Sequence, residues 1–284
     1  MSGQNPGGAP DWPAAPHYPA DAFAGTARYY ARYRPPYPPA LLDDLRRRAV
    51  VTGAGRLLDL ACGPGRVALP LAPFFAEVWA VDLEPEMIEA GRAEAARRGA
   101  TNVRWTVGRA EDVEAPPGAF ELITIGEAFH RLDQRVITTR ALTWLAPGCC
   151  LATMGWFGVF AGPEPWQALG AAVLRRWGVA GPDPDRPAAR WRQPDEAGAR
   201  NEALLRAAGF ADVGSYEFLI PYVWSLDAIV GNQYSTSVAS RHALGDRADA
   251  FEADLRRTLL AHDARGEYPA TLSFGYTLAR RPAS

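Results

Sequence analysis

Arg56-Leu-Leu-Asp59-Leu-Ala61-Cys62-Gly63-Pro-Gly65-Arg-Val-Ala68-Leu-Pro-Leu-Ala72 is the stretch on which the reading of this chain turns. Leu57 to Ala61 is an apolar run broken only by Asp59, the pattern of a strand buried in a parallel sheet. A helix is predicted from Arg66 to about Phe75. Between the two, Gly63 and Gly65 carry no Cβ, so the backbone turns sharply and a ligand can approach the main chain. Strand, glycine loop and helix together make a cofactor-binding unit of an α/β fold.

Two cofactor classes fit at first sight. Gly63-x-Gly65-x-x-Ala68 formally matches the dinucleotide fingerprint, and Asp82, 19 residues after Gly63, stands where a ribose-binding acid belongs. On spacing alone, NAD is open. Asp59 points the other way, because a carboxylate so close to the first glycine repels a pyrophosphate and attracts a cation. S-adenosylmethionine carries an ammonium and a sulfonium and no phosphate. Leu58-Asp-Leu-Ala-Cys-Gly-Pro-Gly65 resembles motif I of the class I S-adenosylmethionine-dependent methyltransferases. That resemblance implies a Rossmann-like α/β fold with a seven-stranded sheet in the order 3-2-1-4-5-7-6. Strand 7 is antiparallel in it, helices cover both faces, and a mostly helical cap holds the substrate. The cofactor implied is S-adenosyl-L-methionine, with S-adenosyl-L-homocysteine as product, set against Asp59, Ala61, Cys62, Gly63 and Gly65.

The chain of 284 residues is long enough for a core domain with a smaller cap. A net charge of -2, with arginines scattered along the chain, leaves no footprint for nucleic acid. All 30 basic residues are arginine, which suggests a GC-rich coding sequence and nothing about function. Cys62, Cys149 and Cys150 read as buried free thiols in a reducing cytosol. No window approaches the length of a membrane span and no signal pattern opens the chain, so a cytoplasmic location is expected.

Residues 1–19, rich in Gly, Pro and Ala, form an expected disordered tail. Lid helices and the cofactor core are expected over 20–156, a cap insertion over 157–200, and the C-terminal part of the core over 201–284 with a helical insertion at 225–264. A helical reading starts at Asp21, and a second helix spans Pro38 to about Val50. In the family that the motif resembles, a segment like Tyr29-Tyr-Ala-Arg-Tyr-Arg-Pro-Pro-Tyr-Pro38 closes over the cofactor, which makes Tyr30 and Arg34 candidates for the methionine carboxylate. Aromatic packing of a helix on the core is the plainer alternative.

Val78-Trp-Ala-Val-Asp82 reads as the second strand, with Asp82 at the carboxyl edge where ligands of open sheets bind. Asp82 either accepts the ribose hydroxyls, as the resemblance implies, or caps the following helix. The resemblance also implies that Leu83 and Met87 flank the adenine or ribose. The helix Glu84 to Arg98 ends at Gly99, a left-handed cap, and Val103 to Val107 is the third strand. After it the family places an acid on the adenine amino group beside a backbone contributor: Asp112 for the first, Ala110 or Glu111 for the second. A solvated acidic loop is the alternative. Phe120 to Gly126 is the fourth strand and runs into Glu127-Ala-Phe-His130-Arg-Leu-Asp133.

His130 is the candidate catalytic residue, since an imidazole with an ordinary pKa of about 6.5 can take a proton during methylation. A structural histidine is the competing reading. Glu127 can sense the sulfonium, hold the acceptor or stay in solvent, and Asp133 is expected to cap the helix Gln134 to Leu145. A fifth strand follows within Leu145 to Gly155, then a helix over Pro165 to Trp177, a loop over Gly181 to Pro194, and a helix over Glu196 to Ala208. Strand six is read at Val213 to Ile220, helices at Leu226 to Ala239 and Asp246 to His262, and a half-exposed strand seven at Thr271 to Leu278.

Methyl transfer is an in-line displacement that needs orientation and a dry site more than strong acid or base. The dispersed histidines His17, His130, His242 and His262 form no metal-ligand spacing. The expected acceptor is a small molecule, sugar-bearing or cationic, with the nitrogen of an amino sugar or aminoglycoside foremost and a sugar or phenolic oxygen second. Glu127, Asp133, Glu164 and Asp227 are the acids available to a polycation. A protein that binds S-adenosylmethionine without turnover, or an NAD-dependent oxidoreductase, are the readings from other classes. Oligomeric state stays open.

Overall fold

The computed structural model describes residues 21–156, 158–179 and 194–283. The tail expected over 1–19, and all but the last residue of the loop expected over Gly181–Pro194, lie outside the described residues.

β1 (Arg56–Leu60) lies between β2 (Glu77–Asp82) and β4 (Phe120–Gly126), parallel to both, with Asp59 beside Ala80 on one side and Thr124 on the other. β3 (Val103–Val107) extends the sheet past β2, and β5 (Leu145–Trp156) pairs parallel with β4. β7 (Glu267–Arg280) inserts antiparallel between β5 and β6 (Ala211–Ser225), completing the seven-stranded order β3-β2-β1-β4-β5-β7-β6. This is the order that the motif implied. The order in which the strands are laid down reverses between β1 and β4, so a crevice opens there at the carboxyl ends of the strands.

Each strand of the centre feeds two cores. Leu57 packs in the cluster that holds Leu41, Leu45, Leu122 and Phe274, while Leu58 and Leu60 pack with Ile123, Ile125, Ile137 and Leu205 on the opposite face. β4 is buried from Phe120 through Ile125, as a central strand covered on both faces requires. The helices in chain order are α1 (Ala27–Tyr33), α2 (Pro39–Arg48), α3 (Ala68–Leu71), α4 (Pro85–Arg98), α5 (Gln134–Trp144), α6 (Pro165–Arg176), α7 (Pro194–Ala207), α8 (Leu226–Tyr234), α9 (Arg241–Leu244) and α10 (Ala248–His262). Their ends follow local chemistry. Pro85 opens α4 and Gly99 closes it at φ 69°, and Asp133 accepts from the Val136 amide to cap α5.

Several sequence expectations need correction. The first helix begins at Ala27, since Asp21 to Gly25 forms a turn. The helix after the glycine loop is a single turn, α3, passing into a 3-10 turn at Ala72–Phe74, because Pro70 and Pro73 have no amide hydrogen to extend it. α8 stops at Tyr234, five residues short of Ala239, where the amide of Ser235 turns back on Asn232 and Gly231. β6 and β7 run past the last β5 pair, Trp156 with Phe274, to Ser225 paired with Glu267. They form a two-stranded ribbon beyond the last β5 pair, with β6 outermost as the implied order requires. Among the described residues no helix is long and apolar enough to cross a membrane.

Candidate functional site

The glycine loop begins with strain. Ala61, the first residue after β1, has φ 51°, a left-handed conformation that costs a residue with a Cβ about 1 kcal/mol or more. Gly63 and Gly65 follow at φ 54° and 81°. The two glycines answer different needs. A Cβ on Gly65 would stand 2.6 Å from the Trp105 ring, whereas one on Gly63 would meet only the Tyr30 ring at 3.7 Å. Gly65 therefore packs, and Gly63 leaves a surface open beneath Tyr30.

The loop spends its amides on its own chain. Cys62 N–H donates to Val81 O, Gly65 N–H to Cys62 O, and Gly63 N–H to Asp82 Oδ2 at 2.7 Å. Ala68 N–H, at the start of α3, donates to Asp59 Oδ2 at 3.1 Å, and Thr124 Oγ1 donates to Asp59 Oδ1 at 2.7 Å. A pyrophosphate needs a row of free amides at a helix start, and here a carboxylate already occupies that place. The dinucleotide reading fails on this geometry. Asp59 is 1 % exposed, and burial raises its pKa to about 7 against the two hydrogen bonds that favour the ion. Asp82 binds Gly63 N–H with one oxygen and Glu84 N–H with the other, tying β2 to the loop, and burial raises its pKa as well.

α1 and the segment after it form the roof. Arg34 donates to Glu127 Oε2 at 2.5 Å and to Ser235 Oγ at 2.8 Å, joining the lid to the tip of β4 and the end of α8. Its guanidinium also lies 4.8 Å from the Tyr30 ring centre. Glu127 itself has φ 55°, held by its amide donating to Met154 O at 2.7 Å. Burial, then the Glu127 charge, push the Tyr30 hydroxyl up to about 12. Beneath the roof, Tyr30, Tyr37, Asp59, Cys62, Arg66 and Gly126 enclose a cavity of about 10 Å³, room for one water. Arg66 donates to the Pro35 carbonyl and lies 5.7 Å from the rings of both tyrosines.

Around the carboxyl end of β2, Met87 and Ala110 are buried and Leu83 is half exposed beside Asp82. The two acids of the 3-10 turn Ala110–Asp112 differ in surroundings. Asp112, favoured in sequence, has a side chain 72 % exposed, while Glu111 is mostly covered and accepts from the Asp133 amide at 3.0 Å.

The glycine loop, the crevice at β1 and β4 and the sheet order coincide with a family described as a methyltransferase domain, which matches residues 57–148. Nocamycin O-methyltransferase of Saccharothrix syringae is 32 % identical over 247 residues, 80 % of this chain and 86 % of that protein. This chain belongs to the class I S-adenosylmethionine-dependent methyltransferases. Solved structures agree on the fold. A proposed type II methyltransferase of Anaeromyxobacter dehalogenans superposes with a TM-score of 0.62 at 24 % identity, covering 88 % of this chain and 98 % of that one. The YcgJ protein of Bacillus subtilis gives 0.52 at 18 % identity over 86 % and 99 %.

The site of this methyltransferase fits its co-substrate, S-adenosylmethionine, in donor chemistry. Two carboxylates, Asp59 and Asp82, face the loop, and two buried donors without partners, Tyr37 Oη and Arg66 Nη1, belong to residues that line the cavity. Sequence reading missed Arg66, Tyr37 and Thr124. The place of Arg66 directly after the second glycine was the one available signal.

His130 lies in the 3-10 turn Phe129–Arg131 after β4, and the residue keeps contact with solvent. Burial of its imidazole, then the charges of Arg131 and Arg200, lowers its pKa to about 4. The carboxylates that a polycation would need are committed elsewhere. Glu127 pairs with Arg34, Asp133 caps α5, Glu164 closes the capping box of α6, and Asp227 pairs with Arg256 at 2.7 Å.

Proposed function

We propose that this methyltransferase methylates an oxygen of a small natural-product acceptor. One observation carries the choice of oxygen over an amino-sugar nitrogen: near His130 stand the cations Arg131 and Arg200, and the four acids available to a polycation are already engaged. A cationic aminoglycoside gains nothing there, whereas an electron-rich oxygen does. The likeness to an O-methyltransferase over most of both chains supports the same reading.

Bound S-adenosylmethionine supplies an electrophilic methyl group on a sulfonium. The chain's own contribution is binding, orientation and exclusion of water. In this reading Asp82 receives the ribose hydroxyls once it yields an amide partner, with Leu83 and Met87 against the nucleoside. Ala110 and Glu111 border the adenine and Asp112 stands at its rim. Ala61, Cys62, Gly63 and Gly65 line its approach. α1, with Tyr30 and Arg34, closes the lid, and Glu127 holds that lid to the strand tip. The cavity of about 10 Å³ requires Tyr30 to swing off Gly63 before the co-substrate enters. His130, neutral at physiological pH, accepts a hydrogen bond from an acceptor hydroxyl and orients its lone pair. A base with so low a pKa orients the acceptor more than it deprotonates it. Residues 20–156 supply lid and core, and α6, α8 and α10 wall the acceptor as the cap.

The experiment is incubation with S-adenosylmethionine labelled in its methyl group and a panel of phenolic, carboxylic and amino-sugar natural products. Mass spectrometry then locates the label. Oxygen-bound label is the expected outcome. Label found only on amino-sugar nitrogen overturns the oxygen reading, and homocysteine-product binding without transfer to any of the panel would favour a sensor.

A further inference from the structure

An aromatic row leaves the co-substrate cavity along one face of the sheet. Tyr37, which lines that cavity, packs 5.9 Å from Phe274, Phe274 lies 6.2 Å from Trp156, and Trp156 stacks on Trp224 at 5.9 Å and 30°. The strands set this direction. Gly126 at the tip of β4 pairs with Met154 of β5, and Trp156 stands on the Met154 face two residues on, about 7 Å farther along the strand. Three donors in this region are left over. The indole Nε1 atoms of Trp156 and Trp224 and the amide Nδ2 of Asn232 are buried with no hydrogen-bond partner among the described residues. Trp224 is 0 % exposed and Asn232 2 %. Arg34 joins the row to the helix that carries Asn232: its guanidinium lies 6.0 Å from the Trp156 ring centre and donates to Ser235 Oγ, which in turn donates to Asn232 O at 2.6 Å. That helix, α8, sits tight under the lid, since a Cβ on Gly231 would fall 2.2 Å from the Tyr33 ring of α1.

A buried donor left unmatched destabilises the fold, and a buried indole N–H ordinarily finds a partner. Packing accounts for the rings but not for three unmatched N–H groups beside one another in the fold; a ligand accounts for both. All three atoms donate, so their complement is a hydrogen-bond acceptor, and an indole face takes a flat π-system. An ammonium only donates, and a sugar ring is not flat. We propose that Trp156, Trp224 and Asn232 select the methyl acceptor, and that it is a planar conjugated ring with a carbonyl oxygen besides the hydroxyl that is methylated. The ring lies on Trp156 once Arg34 lifts with the lid, and the indole and amide N–H groups hold the carbonyl. This rests on the reading of the protein as an oxygen methyltransferase, and it narrows the acceptor from any small natural product to flat, carbonyl-bearing ones.

Equilibrium dialysis of the full chain, saturated with S-adenosylhomocysteine, tests it with two probes, 7-hydroxycoumarin and 2-naphthol. Both are fused pairs of six-membered rings with a phenolic hydroxyl, and only the first carries a ring carbonyl. Asn232→Leu and Trp224→Phe are each expected to weaken the coumarin by about three- to tenfold, the range of one neutral hydrogen bond, and to leave the naphthol within about twofold. Trp156→Leu removes the platform and is expected to weaken both by a similar factor. Asn232→Leu keeps the side chain's shape and deletes an amide that is unmatched in the free protein, so it is expected to raise the melting temperature while it weakens the coumarin, and it stays informative should Trp224→Phe fold poorly. A lowered melting temperature in Asn232→Leu, equal losses for both probes in Asn232→Leu and Trp224→Phe, or binding of neither probe by the unaltered protein overturns the assignment. Methyl label found on nitrogen sinks the oxygen reading instead, a different and separately visible result.

Discussion

Arg34 and Glu127 meet at 2.5 Å across the mouth of the cofactor crevice, each side chain only 13 % exposed, although 93 residues separate them in sequence. The pair fastens α1 to a strand tip whose backbone is itself in the left-handed region. Glu127→Gln removes the charge and leaves a half-buried guanidinium uncompensated, at a cost of about 1–3 kcal/mol. The loss is local to the roof. Hydrogen exchange is expected to accelerate over Ala27–Tyr33 in this variant while β4 stays protected, and unchanged exchange in α1 refutes the latch.

The His130 prediction turns on sign. Its folded pKa of about 4 lies below the ordinary 6.5, so the unfolded chain binds more protons than the folded one between those values. Stability contributed here is full above about 6.5 and declines as pH falls toward 4. His130→Asn is expected to flatten that part of the melting-temperature profile. Activity with an oxygen acceptor should show no inflection near 6.5 from this residue, and a limb there that His130→Asn abolishes would refute the neutral imidazole.

Asp59 carries the opposite sign. Its folded pKa is raised to about 7, so the folded state holds a proton that the unfolded state releases from about 4 upward, and stability at this site falls as pH rises from about 4 to 7. A cationic ammonium facing Asp59 favours the ion and displaces the proton. Binding of S-adenosylhomocysteine at pH 6.5 is therefore expected to release a proton, seen as a binding enthalpy that varies with the ionisation enthalpy of the buffer. Asp59→Asn should remove that variation. Buffer-independent enthalpy in the unaltered protein defeats the assignment.

The fold was legible because the loop motif resembles a family whose strand order it implies, and because the individual elements carry local signals. β3 and β4 have the bounds read from hydrophobic runs, Gly99 caps α4 and Asp133 caps α5, each decided within a few residues. What was not legible depends on partners far away in the chain. Asp59 reads as a free carboxylate until Thr124, 65 residues on, is seen to donate to it. Nothing in the sequence separates the exposure of Asp112 from that of Glu111; only the packing of α5 against their turn exposes one and covers the other. The ion pairs of the acids offered to a polycation were hidden for the same reason, since Glu127 and Asp227 find arginines that no spacing rule pairs with them. Strands β6 and β7 outran their predicted ends because each supports the other beyond the sheet, a cross-strand effect absent from either segment alone.

The two loop glycines separate folding from binding. Gly65→Ala places a methyl 2.6 Å from Trp105 Cη2 and 3.0 Å from Leu69 Cγ at φ 81°, adding overpacking to left-handed strain. Together these cost about 2–4 kcal/mol. Gly63→Ala at φ 54° carries the strain alone, about 1 kcal/mol, because its nearest neighbour is the movable Tyr30 ring at 3.7 Å. Its methyl instead points where Tyr30 lies over the loop, the surface assigned to the co-substrate. Chemical denaturation should rank Gly65→Ala well below Gly63→Ala in stability. Calorimetry should find weakened S-adenosylhomocysteine binding in a Gly63→Ala protein that is still folded. If Gly63→Ala binds as the unaltered protein does, the ligand does not approach the main chain at that residue, and the cradle lies elsewhere in the crevice.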